Sequence, residues 1–164
     1  MADIRSDGAA NASEVTPGEE IGVCLFRIGE DTYAIPVGML TEIIISQKLF
    51  PVPTAPQHVL GIINLRGNIV PIVDIRPVLS LPLQSEPGQI AILKHGSITL
   101  GIVVDDVSEV VAVPESSLLE IPAENALQAS GKNRSRFALA LIPRENGVAA
   151  LLNVEKIIDE IKLS

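Results

Sequence analysis

The sequence predicts an all-β protein, a barrel or a sandwich, and three observations carry that prediction. Apolar residues make up 47% of the 164 residues while aromatics make up only 2%, so Val, Ile, Leu and Ala must fill the core. Such β-branched chains suit a pleated, half-buried surface. From Ile21 onward, short apolar runs alternate with turn residues at strand-like spacing. These runs amount to about ten strands joined as hairpins with few long helices, which argues against an alternating βαβ chain.

Each element follows from local pattern. Residues 1–20, rich in Ala, Ser, Asp, Gly and Glu, read as a disordered leader, and residues 21–164 as one domain. Gly22–Ile28 and Thr32–Ile35 form a hairpin through Gly29-Glu30-Asp31. Val37–Leu40 reads as one helical turn, with Pro36 tolerated at its start. Thr41–Ile45 is a strand, Pro51, Pro53 and Pro56 mark a loop, and Gln57–Leu60 is expected to be a short helix. Two apolar runs then flank Arg66-Gly67-Asn68, where Gly and Asn accept positive φ cheaply and favour a tight turn. Gln89–Lys94 and Ile98–Val104 straddle His95-Gly96-Ser97, and Asp105-Asp106 is expected as a solvated turn into Val107–Val113. Residues 115–135 carry no clear period. Arg136–Pro143 and Val148–Asn153 flank Glu145-Asn146-Gly147, in which Asn-Gly is a strong hairpin signal. Val154, Ile157, Ile158 and Ile161 recur at helical spacing and predict an amphipathic terminal helix docked on its own sheet. No strong internal repeat is evident in the residues.

Composition narrows the function. A chain of this length buries roughly 70% of its unfolded surface as one domain. The formal net charge of −8 argues against nucleic-acid and anionic-membrane partners. The lone Cys24 permits no internal disulfide and fits a reducing cytosol. No secretory signal is evident, and no apolar run reaches the ~18–20 residues of a membrane helix, so a soluble, cytoplasmic protein is expected.

Residues that could carry catalysis are sparse. His58 and His95 have no Cys, His or carboxylate at metal-ligand spacing and read as structural. Cys24 sits within a strand pattern with no activating partner. Asp105, Asp106 and Glu109 lack the calcium-loop pattern, and Gly61 and Gly67 lack the order of a phosphate loop. No enzyme, metal or cofactor is expected. The telling residues are Glu42, Asn64, Arg66 and Asp74, polar groups set in apolar strands, where charge is costly unless paired or solvated. Either Arg66 caps turn carbonyls or meets a nearby carboxylate for stability, or Arg66 and Glu42 form an ion pair on a docking surface. Residue chemistry leaves both open.

Three motifs occur in order: the central run Asn64-Leu65-Arg66-Gly67-Asn68-Ile69-Val70-Pro71-Ile72-Val73-Asp74-Ile75-Arg76, the stretch Gly101–Val110, and Leu152-Asn153-Val154-Glu155-Lys156-Ile157-Ile158. Together they resemble the CheW-like chemotaxis adaptor family across residues 21–163. The resemblance implies two intertwined five-stranded SH3-like barrels with a short C-terminal helix. It also implies a non-catalytic adaptor whose partners are the regulatory domain of a CheA-type histidine kinase and the hairpin tip of chemoreceptors. Leu40, Glu42, Gly61, Asn64 and Arg66 fall on the family's kinase-coupling surface, with Glu42 and Arg66 as an ion pair. Val103 and Val104 fall near the receptor groove. Two departures stand out: Ala138–Leu141 lacks a glycine common before the last hairpin, and residues 115–135 have no clear family counterpart. The alternative from another class is a stand-alone small-molecule-binding β-barrel, which requires polar groups converging in a cavity.

Overall fold

A computed structural model of the chain describes residues 19–79, 81, 88–121 and 137–162. Within them the chain forms β1 (Glu20–Ile28), β2 (Asp31–Pro36), β3 (Leu40–Ile45), β4 (Val59–Leu65), β5 (Asn68–Val73), β6 (Gln89–His95), β7 (Ile98–Val104), β8 (Asp106–Pro114), β9 (Ala138–Arg144), β10 (Gly147–Leu152) and the helix α1 (Val154–Lys162). Single 3-10 turns occupy Val37–Met39 and Glu115–Ser117. Most of the expected leader and most of residues 115–135 lie outside the described residues.

The strands make two five-stranded sheets, ordered β8-β1-β2-β10-β9 (barrel A) and β3-β6-β7-β5-β4 (barrel B). Each sheet mixes the two halves of the chain. The first hairpin, β1–β2, joins three strands of the second half, and the hairpin β6–β7 joins three strands of the first. This is the double SH3-like barrel that the family resemblance implied.

The exchange follows an internal pseudo-two-fold repeat that reaches individual residues. Thr41 is bulged between Leu40 and Glu42 on β3, as Ser108 is between Val107 and Glu109 on β8. Glu42 stands opposite Ile92 of β6, and Glu109 opposite Leu25 of β1. The single parallel pairing of each sheet also corresponds, Ile72 with Gly101 in one and Leu151 with Ala34 in the other. Phe50 bridges to Ile62 on β4, and Leu119 bridges to Leu141 on β9, so each chain segment leaving one edge strand returns to the opposite edge. The repeat hides in the residues because packing demands only apolar volume at alternate positions. Its one visible trace is Thr41-Glu42-Ile43-Ile44 against Ser108-Glu109-Val110-Val111.

Period-2 alternation divides the core into three parts. Val23, Leu25, Ala34, Ile142 and Leu151 fill barrel A, and Ile63, Val70, Ile72, Ile90, Ile92 and Val103 fill barrel B. The opposite faces of the same hairpins supply Cys24, Phe26, Tyr33 and Ile35, and Ala91, Leu93, Leu100, Ile102 and Val104, to a core shared between the barrels. The helix α1 docks Val154, Ile157 and Ile158 onto that shared core, as its spacing predicted. Asn153 caps it, its Oδ1 accepting from the Lys156 N–H at 3.1 Å.

Three local expectations need correction. Gln57–Leu60 is not a helix: Val59 and Leu60 already belong to β4, because Val59 pairs with Val73 and the His58 carbonyl accepts from the Asp74 N–H at 2.8 Å. At the central turn Asn68 already pairs with Leu65, and the positive φ falls on Arg66 (52°) and Gly67 (87°). That is the pattern of a two-residue I′ turn, whose twist suits a hairpin. In the last hairpin Gly147 pairs with Arg144, so the expected Glu145-Asn146-Gly147 connection shortens to Glu145-Asn146.

The repeat also explains the missing glycine, since Ala140 of β9 stands where β4 has Gly61. A side chain on Gly61 would place Cβ 2.8 Å from the carbonyl oxygen of Phe50, with φ at 156°. Gly61→Ala is therefore expected to destabilise by about 1–3 kcal/mol, since neither the backbone nor the crossing segment can yield cheaply. Ala140→Gly at the equivalent position costs at most about 1 kcal/mol. Thermal melting of both variants checks this; equal losses would contradict the asymmetry.

Candidate functional site

Among the described residues, the edge strands of barrel B, β3 and β4, have no neighbouring strand on their outer sides apart from the short bridge at Phe50. Glu42 projects from β3, and Arg66 from the turn after β4, so these two residues come from opposite edges of one sheet. They meet in a bidentate ion pair. Arg66 Nη2 donates to Glu42 Oε1 at 2.8 Å, and Nη1 donates to Oε2. A planar guanidinium matches a carboxylate in this way, which fixes geometry as well as charge. The pair staples the two edges across the mouth of the barrel.

The turn that presents Arg66 is itself prepared. Asn64 Oδ1 accepts from the Gly67 N–H at 2.8 Å, fixing the loop in which Arg66 holds its left-handed conformation. That conformation is uncommon for a residue with a Cβ, so the Asn64 bond offsets a local cost. The side chain of Arg66 is 69% exposed and that of Glu42 24% exposed, so the pair stands at the surface with one face open to solvent. Hydrogen bonding from Arg66 holds the Glu42 carboxyl below the usual glutamate range, and Glu42 in turn holds the Arg66 guanidinium above its own. Both remain charged at neutral pH.

Around the pair lies a mixed surface. A shallow cavity of about 600 Å³ opens beside it, lined by Glu42, Arg66, Asn68, Ile69, Lys94 and Thr99 among others. Ile69, Phe50 and Ile45 are exposed on the same barrel, and Lys48 Nζ lies 5.6 Å from the Phe50 ring centre. Exposed apolar side chains rimmed by charge suit protein contact.

The residues singled out from the sequence divide into three groups. Glu42, Arg66 and Asn64 converge on one turn. Gly61 and Leu40 shape the edges beneath it: Gly61 admits the crossing segment at Phe50, and Leu40 packs inward against the shared core. Val103 and Val104 do not line a surface. Both are fully buried, Val103 inside barrel B and Val104 in the shared core, because β7 is covered on both faces. A partner can feel them only through the packing above them.

Two features escaped the sequence reading. Asp105 is not a solvated turn residue; its buried carboxylate accepts from the Gly29 N–H at 2.7 Å and pairs with Arg76. Barrel A also carries its own edge-to-edge staple, Arg144 Nη2 to Glu109 Oε2 at 2.7 Å, with Glu109 at the place equivalent to Glu42 and Arg144 one residue before the place equivalent to Arg66. The matching Thr-Glu and Ser-Glu steps at 41–42 and 108–109 were the available signal.

Other reactive residues stand apart from this surface. Cys24 is buried, and burial pushes its thiol above the usual range. His95 Nε2 lies 3.9 Å from Glu155, and His58 is buried at the start of β4. Among the described residues no three His, Cys, Asp or Glu side chains gather as a metal would need, and no helix is long and apolar enough to cross a membrane.

Comparison with known proteins converges on one family. The family model of the CheW-like domain matches residues 22–162. The chemotaxis protein CheW of Bacillus subtilis is 28% identical over 150 residues, covering 90% of this chain and 92% of that protein. The chemotaxis protein CheW of Rhizobium meliloti is 30% identical over 135 residues, covering 80% and 83%. Among solved structures, the scaffolding protein TtCheW of Thermoanaerobacter tengcongensis superposes with a TM-score of 0.71 at 21% identity, over 82% of this chain and 89% of that one. With its hairpins exchanged between two five-stranded barrels and the family model matched from β1 to the end of α1, this chain belongs to the CheW-like domain family.

Proposed function

We propose that this protein is a non-catalytic adaptor that couples chemoreceptors to a CheA-type histidine kinase, in chemotaxis or a related motility pathway. The observation that carries the reading is the Glu42–Arg66 pair: a fixed, solvent-facing charge pattern that joins the two edges of the sheet, bordered by exposed Ile69. A kinase regulatory domain docks here, with Asn64 holding the turn and with Leu40 and Gly61 setting the edge. The chemoreceptor hairpin tip seats between the barrels, above the layer in which Val103 and Val104 are packed. The adaptor works in the cytoplasm and reaches the membrane only through receptors.

Modest affinity at each face suffices, because arrayed partners raise effective concentration. A ligand-binding barrel is disfavoured by the packing, since both barrel interiors are filled with Val, Ile and Leu rather than with convergent polar groups.

Charge reversal tests the docking role. Glu42→Arg and Arg66→Glu are each expected to weaken binding of the kinase regulatory domain by about tenfold or more. Melting midpoints should fall by no more than about 2–4 °C, because an exposed pair contributes little to folding. The double reversal should restore the staple without restoring docking. A collapsed melting transition in either single variant would assign the pair to folding instead.

The pH dependence of the staple has a defined sign. Glu42 is held below its unfolded value, so its contribution is complete above that value and lost as pH falls through the lower folded one. The melting difference between the native protein and Glu42→Gln is expected to be constant near neutrality, to shrink as pH drops below the ordinary glutamate value of about 4.3, and to vanish below the lower folded value. A difference that persisted at low pH would show that the side chain acts by packing rather than by charge.

A further inference from the structure

The buried ion cluster beside the passage from barrel B to barrel A plays no part in the docking surface. Arg76 follows β5, and its side chain is only 2% exposed. Its guanidinium donates to Asp105 Oδ1 and lies 3.4 Å from Asp74 Oδ1, which also accepts from the Arg76 N–H at 2.9 Å. On the other side, Asp105 Oδ2 accepts from the Gly29 N–H at 2.7 Å and lies 3.8 Å from Arg27 Nη1. The Asp105 N–H donates to the Arg27 carbonyl at 3.0 Å. One carboxylate thus ties the exit of β5 in barrel B to the β1–β2 turn in barrel A.

The pseudo-two-fold repeat supplies an internal control. Superposing the halves strand by strand places Asn153 opposite Asp74, Glu155 opposite Arg76 and Gly38 opposite Asp105. Asn153 repeats the capping role of Asp74, since each accepts from a backbone N–H just beyond it. Among the described residues the ion cluster is not repeated, since Glu155 and Gly38 stand where Arg76 and Asp105 are. At the described positions the other crossover is therefore completed without a buried Arg–Asp pair. A buried guanidinium–carboxylate pair is often no better for stability than well-packed neutral groups, whereas its planar hydrogen bonding is geometrically specific. The fold does not require the cluster, so its role lies in what it holds in place.

We propose that Arg76 and Asp105 form a latch that fixes the angle between the two barrels, and that communication between the partner docked on barrel B and the one seated between the barrels depends on this angle. The first half stands on geometry alone; the second rests on the adaptor reading above. Arg76 and Asp105 act as positioning residues and touch neither partner.

Spin labels on Asn68→Cys and Glu145→Cys, at the exposed hairpin tips of barrels B and A, report the angle in the full chain, with Cys24 buried and unlabelled. The native cluster should give one narrow distance distribution. The neutral set Asp74→Asn, Arg76→Met and Asp105→Asn should broaden it while the protein still melts cooperatively. Arg76→Lys, which keeps the cation but loses the planar pairing, should give an intermediate width. Kinase activation should fall by about tenfold in the neutral variant while binding of the isolated regulatory domain changes by less than about twofold. An unchanged distribution in the neutral variant overturns the latch, as does an unchanged one in Arg76→Lys if the neutral variant does not fold. A broadened distribution with native activation overturns the coupling role. Failure of the native protein to activate the kinase counts against the adaptor reading, and the distances still judge the latch.

Discussion

The structure depends on one constraint: the hairpins β1–β2 and β6–β7 are buried on both faces. One face of each fills a barrel and the other fills the core between barrels, so neither hairpin can be satisfied by its own half of the chain. Exchange of the two hairpins follows from this. The apolar runs read almost without interruption because both faces need apolar side chains, as in sheets covered on both sides. The edges β3, β4, β8 and β9 are left for the second demand, which is to be stapled or to meet another molecule.

The pseudo-two-fold repeat separates what the fold needs from what it has added. Both barrels share the bulge, the edge staple, the bridged return segment and the capped exit. They differ at Gly61 against Ala140, at Asn64 beneath the turn, and at the Arg76–Asp105 cluster. These differences concentrate on barrel B and on the passage leading out of it. An exposed ion pair contributes little stability in either barrel, so a turn fixed around Arg66 is better explained by recognition than by folding.

Much of this was legible in the residues. Strand number, hairpin order and the terminal helix followed from periodicity, because alternation and turn chemistry are local. The pairing of Glu42 with Arg66 was one of two readings that residue chemistry left open, and the family resemblance pointed to the same pair. What stayed hidden was non-local. The Gln57–Leu60 segment is strand because Val73 and Asp74 capture it, which no window around residue 57 reveals. Asp105 seemed a surface turn because its partners, Gly29 and Arg76, are distant in sequence. Val103 and Val104 were matched to a groove by motif, but the second layer of packing over β7 cannot be read from one strand.

The central claim is that the β3–β4 edge of barrel B, marked by Glu42 and Arg66, receives the kinase regulatory domain. Backbone hydrogen exchange measured with and without that domain tests it most directly. The account predicts new protection confined to β3, the 64–69 turn and the segment around Phe50, with barrel A unchanged. Protection restricted to barrel A or to α1, with the 64–69 turn still exchanging at its free rate, would contradict it.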